Sequence, residues 1–278
     1  MTRKLHQQAN LENDHQAIVE WYTANMHTAH GRAFYKPFYD EFSKLSVSLG
    51  GGMTPYLFSV QQIVAKTAKN TSVEWEQLSR YLMASNRSKL INLCPHSTPE
   101  CRAGCLGHTS GRLRQTVQQT AQYVRTAFMV LNPLGFMIVE LTEVARHAKR
   151  IKKKGRKIAG RLNGTSDKAY ERQAWYMDCL KKAGMDIMFD YTAEKGRFKG
   201  WMNPTISDMP YHLTHSTKET DSPNDIEPGT YTVVAIKRGA PLPETYNGWP
   251  VSDLSPSNTG QPLYVSGSGS PRLMATTV

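Results

Sequence analysis

The sequence predicts an α/β protein: an incomplete or distorted parallel (β/α) barrel preceded by a helical N-terminal region, with an open doubly wound sheet as the alternative. Two observations carry this expectation. From Leu90 onward strand-like and helix-like runs alternate, and polar residues collect after several of the strand-like runs. Ahead of Leu90 apolar residues recur at helical spacing instead. The chain divides accordingly into a helical region over 1–87, a barrel-like domain with a cysteine loop over 88–240 and a poorly structured tail over 241–278.

The N-terminal helices are read from four apolar series. They are Ala17, Ile18, Trp21 and Tyr22; Phe34, Phe38, Phe42 and Leu45; Leu57, Val60, Ile63 and Val64; and Trp75, Leu78, Tyr81 and Leu82. Gly50-Gly51-Gly52 followed by Pro55 breaks the region with a loop. Stretches 56–69 and 72–85 have the spacing of a helix-turn-helix. Glu74 and Glu76 would then face phosphates, so a packing role is the better expectation. Beyond them, strands are expected at Lys89–Leu93, Lys157–Leu162, Met185–Asp190, Tyr211–Thr214 and Thr230–Ile236, and helices at about 112–130, 133–154 and 168–183. Five strands are too few to close an eight-stranded barrel, hence the incomplete one.

Composition sets the outer limits. The chain has 278 residues, 39% of them hydrophobic, enough for one large domain or two small ones. No stretch approaches the ~20 apolar residues of a membrane span, so no membrane partner is expected. Thirty-four basic residues against 23 acidic ones give a net charge of +11, which favours an acidic partner such as nucleic acid. Eight of those cations crowd the run 146–157, where Lys152, Lys153, Lys154 and Arg156 are candidate phosphate contacts. The plainer reading is a solvated surface that complements a helix C-terminus.

Three of the four cysteines and two histidines fall between Leu93 and Arg112, in L-C-P-H-S-T-P-E-C-R-A-G-C-L-G-H-T-S-G-R. Thiolate is a soft ligand for iron–sulfur clusters and zinc, and neutral imidazole suits zinc. Cys94, Cys101 and Cys105 are therefore candidate metal ligands, with His96 and His108 as extras. Their spacing, C-x6-C-x3-C, lacks the second distant pair of a zinc ribbon and differs from the C-x3-C-x2-C of radical S-adenosylmethionine enzymes. Three thiols still meet the need of a cluster with one open iron. Idle reduced thiols are the plain alternative.

Polar residues follow the expected strands in three groups: Arg161, Asn163, Thr165, Ser166 and Asp167; Asp190, Tyr191 and Thr192; His212, Thr214, His215 and Ser216. Ligands and catalytic groups of α/β folds collect at the carboxyl ends of parallel strands, so these groups can converge on the cysteine loop. Asp167, Asp190 and His212 are candidates for proton transfer, and Arg161, Asn163, Ser166 and Thr192 for holding a cofactor. The alternative is ordinary capping, with Ser166-Asp167 starting a helix near Lys168.

The segments C-P-H-S-T-P-E-C-R-A-G-C-L at 94–106 with Gly111-Arg112, R-L-N-G-T-S-D at 161–167, F-D-Y-T at 189–192, Y-H-L-T-H-S at 211–216 and L-P-E-T-Y-N-G-W-P-V at 242–251 carry a further signal. Over about residues 88–251 the chain resembles the phage and plasmid gene product 88-like family, whose function is unknown. The resemblance implies a phage or mobile-element origin, a place in the cytoplasm of the infected host cell and a shared metal-like cysteine loop. After Val251 the chain departs from the family pattern into Ser, Gly, Pro and Thr. Two functions are carried forward: an iron–sulfur enzyme using S-adenosylmethionine, or a zinc-stabilised nucleic-acid-binding protein, perhaps of replication.

Overall fold

The computed structural model describes residues 2–59, 75–109, 111–194, 197, 209–216, 231–236, 245–246, 249–252 and 272–277. Two helices open the chain, α1 (Thr2–Asn25) and α2 (Ala29–Ser48). They meet at a tight corner, where the Thr28 hydroxyl caps α2 by accepting the Gly31 N–H at 3.1 Å. A Cβ at Gly31 would lie 2.1 Å from the Asn25 carbonyl oxygen, so only glycine allows this approach. Trp21 then meets Phe34 edge to face at 5.2 Å.

The sheet contains β1 (Phe58–Ser59), β2 (Trp75–Arg80), β3 (Lys157–Arg161), β4 (Ile187–Thr192), β5 (Tyr211–Ser216), β6 (Tyr231–Ile236), β7 (Thr245–Tyr246), β8 (Trp249–Ser252) and β9 (Arg272–Thr277). Its spatial order is β1-β2-β3-β4-β5-β6-β9-β8-β7. β1 runs antiparallel to β2 and β7 to β8, while every other pairing is parallel. The fold is therefore mixed α/β, and among the described residues no pairing closes the sheet. From β2 to β6 the strands lie in chain order. Right-handed crossovers between sequential parallel strands put all the connecting helices on one face.

Those helices are α3 (Pro99–Ala103), α4 (Leu106–Thr109), α5 (Thr116–Leu131) and α6 (Pro133–Lys152) between β2 and β3, and α7 (Ala174–Ala183) between β3 and β4. Asn132 ends α5 and caps α6 by accepting the Gly135 N–H at 2.7 Å, with Pro133 in the first turn. Strand alternation then sorts the side chains. Leu78, Ile158 and Met188 join one hydrophobic core with Phe42, Phe128, Ile138, Leu141 and Leu180. Trp75, Ala159, Phe189 and Tyr191, of the opposite parity, lie outside that core.

Polar groups are built into this core as well. Arg80, the last residue of β2, is fully buried and pairs with Glu140 of α6, whose other oxygen accepts the Tyr176 hydroxyl of α7. The Arg80 guanidinium lies 5.2 Å from the Phe136 ring centre and 4.7 Å from that of Tyr170. Nearby, Glu143 accepts the Leu57 N–H at 2.8 Å and the Phe58 N–H at 3.0 Å, anchoring β1 to α6.

The expected helices at 112–130, 133–154 and 168–183 appear as α5, α6 and α7, and the expected strands from Lys157 onward appear as β3 to β6. The reading of 1–87 as wholly helical is corrected. Residues 75–80 form β2, not the second helix of a helix-turn-helix, and β2 pairs with β3, so the sheet begins before residue 88. Residues 60–74 lie outside the described set. Lys89–Leu93 is not a strand: it follows turns in which Ser85 and Lys89 have φ of 53° and 59°. The strand leading into the cysteine loop is therefore β2. Strands β7, β8 and β9 fall within 241–278, where the sequence reading places none.

Removing one partner from a buried ion pair strands the other charge. Glu140→Ala should lower stability by roughly 3–5 kcal/mol in urea unfolding, and Arg80→Met combined with Glu140→Leu should recover much of the loss. A double variant no more stable than Glu140→Ala alone would show that the pair's role is not electrostatic.

Candidate functional site

The cysteine loop leaves the carboxyl end of β2 and folds back over that of β3. Gly164 donates its N–H to the Arg80 carbonyl at 3.0 Å, Asp167 its N–H to the Leu93 carbonyl at 2.8 Å, and Cys94 its thiol to the Thr165 carbonyl at 3.8 Å. A Cβ at position 164 would lie 2.5 Å from the Arg80 carbonyl oxygen, so glycine is what lets the R-L-N-G-T-S-D turn close onto β2. Thr98 caps α3 by accepting the Cys101 N–H at 3.1 Å, fixing the second cysteine at a helix start.

Cys94, Cys101 and Cys105 are half-buried and reduced, whereas Cys179 is buried in α7. Burial pushes the Cys94 thiol up to about 12, partly offset by a backbone hydrogen bond from Ser85 and reinforced by Asp167, Cys105 and Cys101 nearby. The three thiols and Asp167 thus share one electrostatic neighbourhood. At neutral pH Cys94 is a protonated thiol, unlike the depressed thiolates of cysteine nucleophiles. His96 reaches Glu194, beyond the end of β4, at 3.8 Å. His108 has a buried Nδ1 with no hydrogen-bond partner, and burial lowers its pKa. Among the described residues no group of three His, Cys, Asp or Glu side chains stands in an arrangement that could hold a metal ion.

The candidate acids at the strand ends are occupied with holding the backbone. Buried Asp190 accepts the Asn163 N–H at 2.9 Å, the Asn163 side-chain amide at 3.2 Å and the Tyr211 hydroxyl at 2.7 Å. Burial raises its pKa to about 6 against the opposing pull of Arg161 and these donors. Asn163 in turn accepts the Ser166 hydroxyl at 2.8 Å and the Lys168 N–H at 3.0 Å. Asp167 pairs with Arg197 and accepts the Ala193 N–H at 2.8 Å, and Thr192 accepts the Glu194 N–H at 3.0 Å. No α-helix starts near Lys168; a 3-10 turn at Tyr170–Arg172 precedes α7, so Ser166 and Asp167 fasten loops rather than cap a helix.

Arg161 and His212 stand differently. The Arg161 guanidinium lies over the Tyr191 ring at 4.7 Å, with a buried Nε lacking a hydrogen-bond partner 3.9 Å from Asp190. His212 is in register with Phe189, on the sheet face turned from the helices, and burial lowers its pKa. Sequence reasoning missed Arg80, Tyr211, Lys168 and Arg197. Arg197 binds Glu171 through two nitrogens at 2.8 Å as well as Asp167, and no local pattern announces it.

The basic run occupies the opposite end of the sheet, at the start of β3. Lys152 pairs with Asp186 at 3.2 Å, and Lys154 and Arg156 with Glu76 at 3.6 and 3.0 Å. Three of the four candidate phosphate contacts thus have acidic partners. Exposed Lys149, Arg150 and Lys153 have none among the described residues.

With this geometry in place, the family comparison can be read against the fold. The family model described as Gene product 88 matches residues 59–268, from the end of β1 to beyond β8. The chain belongs to the Gene product 88 family. The match takes in β2, in agreement with a sheet that begins before residue 88. No curated protein and no solved structure matches the chain.

Asp190 supports a pH prediction. Its folded pKa is raised from 3.8 to about 6, so its contribution is fully present below pH 3.8 and is lost as pH rises through 6, on the order of 3 kcal/mol in all. Asp190→Asn should flatten the fall in stability between pH 4 and 7 relative to the parent chain. An unchanged slope would mean that Asp190 titrates normally.

Proposed function

We propose that the chain is an iron–sulfur enzyme built on an incomplete (β/α) barrel, with Cys94, Cys101 and Cys105 holding the cluster and S-adenosylmethionine as the cofactor. The observation that carries this reading is the seating of three half-buried thiols over the carboxyl ends of β2 and β3, beside the R-L-N-G-T-S-D turn. The donor chemistry fits: three soft sulfur ligands bind three irons and leave the fourth open to a cofactor. When bound, such a cluster supplies single electrons. The chain's own residues set the surroundings. Asp190 and Asn163 hold the turn in shape, and Arg161, with its unpartnered Nε, offers a cation for a carboxylate or phosphate. Because Cys94 is protonated when free, loading releases a proton and strengthens as pH rises.

A second reading has its own support. The buried, unpartnered His108 Nδ1 is a neutral imidazole nitrogen on the same loop, suited to close a Cys3His zinc site. The protein would then use its basic surface to bind nucleic acid. No helix among the described residues is long and apolar enough to cross a membrane, and neither reading needs one.

Anaerobic purification followed by iron, acid-labile sulfide and zinc analysis separates the two. The iron–sulfur reading expects stoichiometric iron and sulfide, lost when Cys94, Cys101 and Cys105 are replaced by serine. Stoichiometric zinc without sulfide would discard it in favour of the zinc reading.

A further inference from the structure

The two faces of the sheet differ in chemistry. Glu76 and Asp190 belong to the helix side, with Leu78 and Met188. The other side carries Trp75 of β2, Lys157 and Arg161 of β3, Phe189 and Tyr191 of β4 and His212 of β5. Lys157 lies over the Trp75 ring at 5.2 Å and Arg161 over the Tyr191 ring at 4.7 Å. Trp75, Phe189 and Tyr191 are each partly exposed. By strand alternation β2 to β5 place no Asp or Glu on this side.

The two cation–aromatic pairs mark opposite ends of one path. Lys157 begins β3 beside the basic run, and Arg161 ends it beside the cysteine loop, a span of about 13 Å at the usual rise per strand residue. Cations interleaved with half-exposed rings suit a ligand that alternates phosphates with flat, unpaired bases. An acidic peptide would use the charges and leave the rings idle, while a duplex keeps its bases stacked away from them. The surplus of cations over the whole chain favours the same ligand.

We infer that this face binds a single-stranded nucleic acid, laid from the basic run at the amino ends of the strands toward the cysteine loop at their carboxyl ends. It rests on the enzyme reading above and supplies its substrate class: a nucleotide within a single strand.

The test is fluorescence anisotropy with a labelled single-stranded oligonucleotide, read as affinity and as its salt dependence. Tyr191→Ala should weaken binding roughly 5- to 100-fold, as loss of one stacking platform does, and Tyr191→Phe should restore it. Lys157→Gln, at an exposed position, should weaken binding and lower the salt slope by about one, which keeps the test informative if Tyr191→Ala misfolds. Full affinity in both Tyr191→Ala and Lys157→Gln, with loss in K149Q/R150Q/K153Q, would overturn the inference and assign binding to the helix end alone. Equal affinity for duplex DNA or polyglutamate would overturn it too. Metal analysis of the same preparation keeps the two ideas apart. Iron and sulfide without oligonucleotide binding defeat this inference alone, whereas Tyr191-dependent binding by a protein without iron upholds the face and defeats the iron–sulfur reading.

Discussion

Arg80 is where the helix layer, the sheet and the cysteine loop are joined. Its side chain is buried against Glu140, with Tyr176 on the far oxygen, so the end of β2 is tied to α6 and α7 at once. Its backbone carbonyl accepts the Gly164 N–H, which draws the turn after β3 against the end of β2. The chain leaving Arg80 then becomes the loop that carries Cys94. A charge with no exposure has little freedom to relocate, because moving it without Glu140 exposes the full cost of burying an ion. One residue therefore fixes where the helices sit and where the thiols hang over the strand ends.

The interaction that organises β2 is also the one that hid it. β3 to β6 are legible because their runs, such as Lys157–Leu162 and Tyr211–Thr214, are short and rich in apolar or β-branched residues. In β2, Glu76, Leu78 and Arg80 share the helix side, so two charges stand where a sequence reader expects apolar residues. Their partners, Arg156 and Glu140, lie 80 and 60 residues away, and no local window contains them. The apolar residues that remain, Trp75, Leu78, Tyr81 and Leu82, happen to fall at helical spacing. Leu90, Ile91 and Leu93 give the reverse error: an apolar run that resembles a strand but sits in a loop after positive-φ turns, with only Leu93 fully buried.

The candidate site divides along the same line. Side-chain type made the cysteines and the R-L-N-G-T-S-D turn visible, because thiols and polar turns stand out against a hydrophobic chain. What the polar groups do depended on partners the sequence does not place. Asp190 looks like a free acid in F-D-Y-T, yet its oxygens are taken by Asn163 and Tyr211 from two neighbouring strand regions. Asp167 is held by Arg197 and the Ala193 backbone. Residues so engaged act by positioning the turn, and direct contact with a ligand falls to groups with spare valence, Arg161 and His108 among them.

The strand order explains how stability and chemistry coexist in one sheet. With β2 to β6 in chain order, one face receives the crossover helices and becomes the core, leaving the other face to different chemistry. Along the strands there is a second division. Amino ends gather the basic run, partly neutralised by Glu76 and Asp186, and carboxyl ends gather the thiols and the Asp190 network. Placing the cations at the far end keeps them from the thiols. A lysine cluster beside Cys94 would hold its thiolate charged and exposed to oxidation. Burial beside Asp167 instead keeps the thiol neutral until a ligand takes its proton, which favours a loop that waits for a partner over one that reacts by itself.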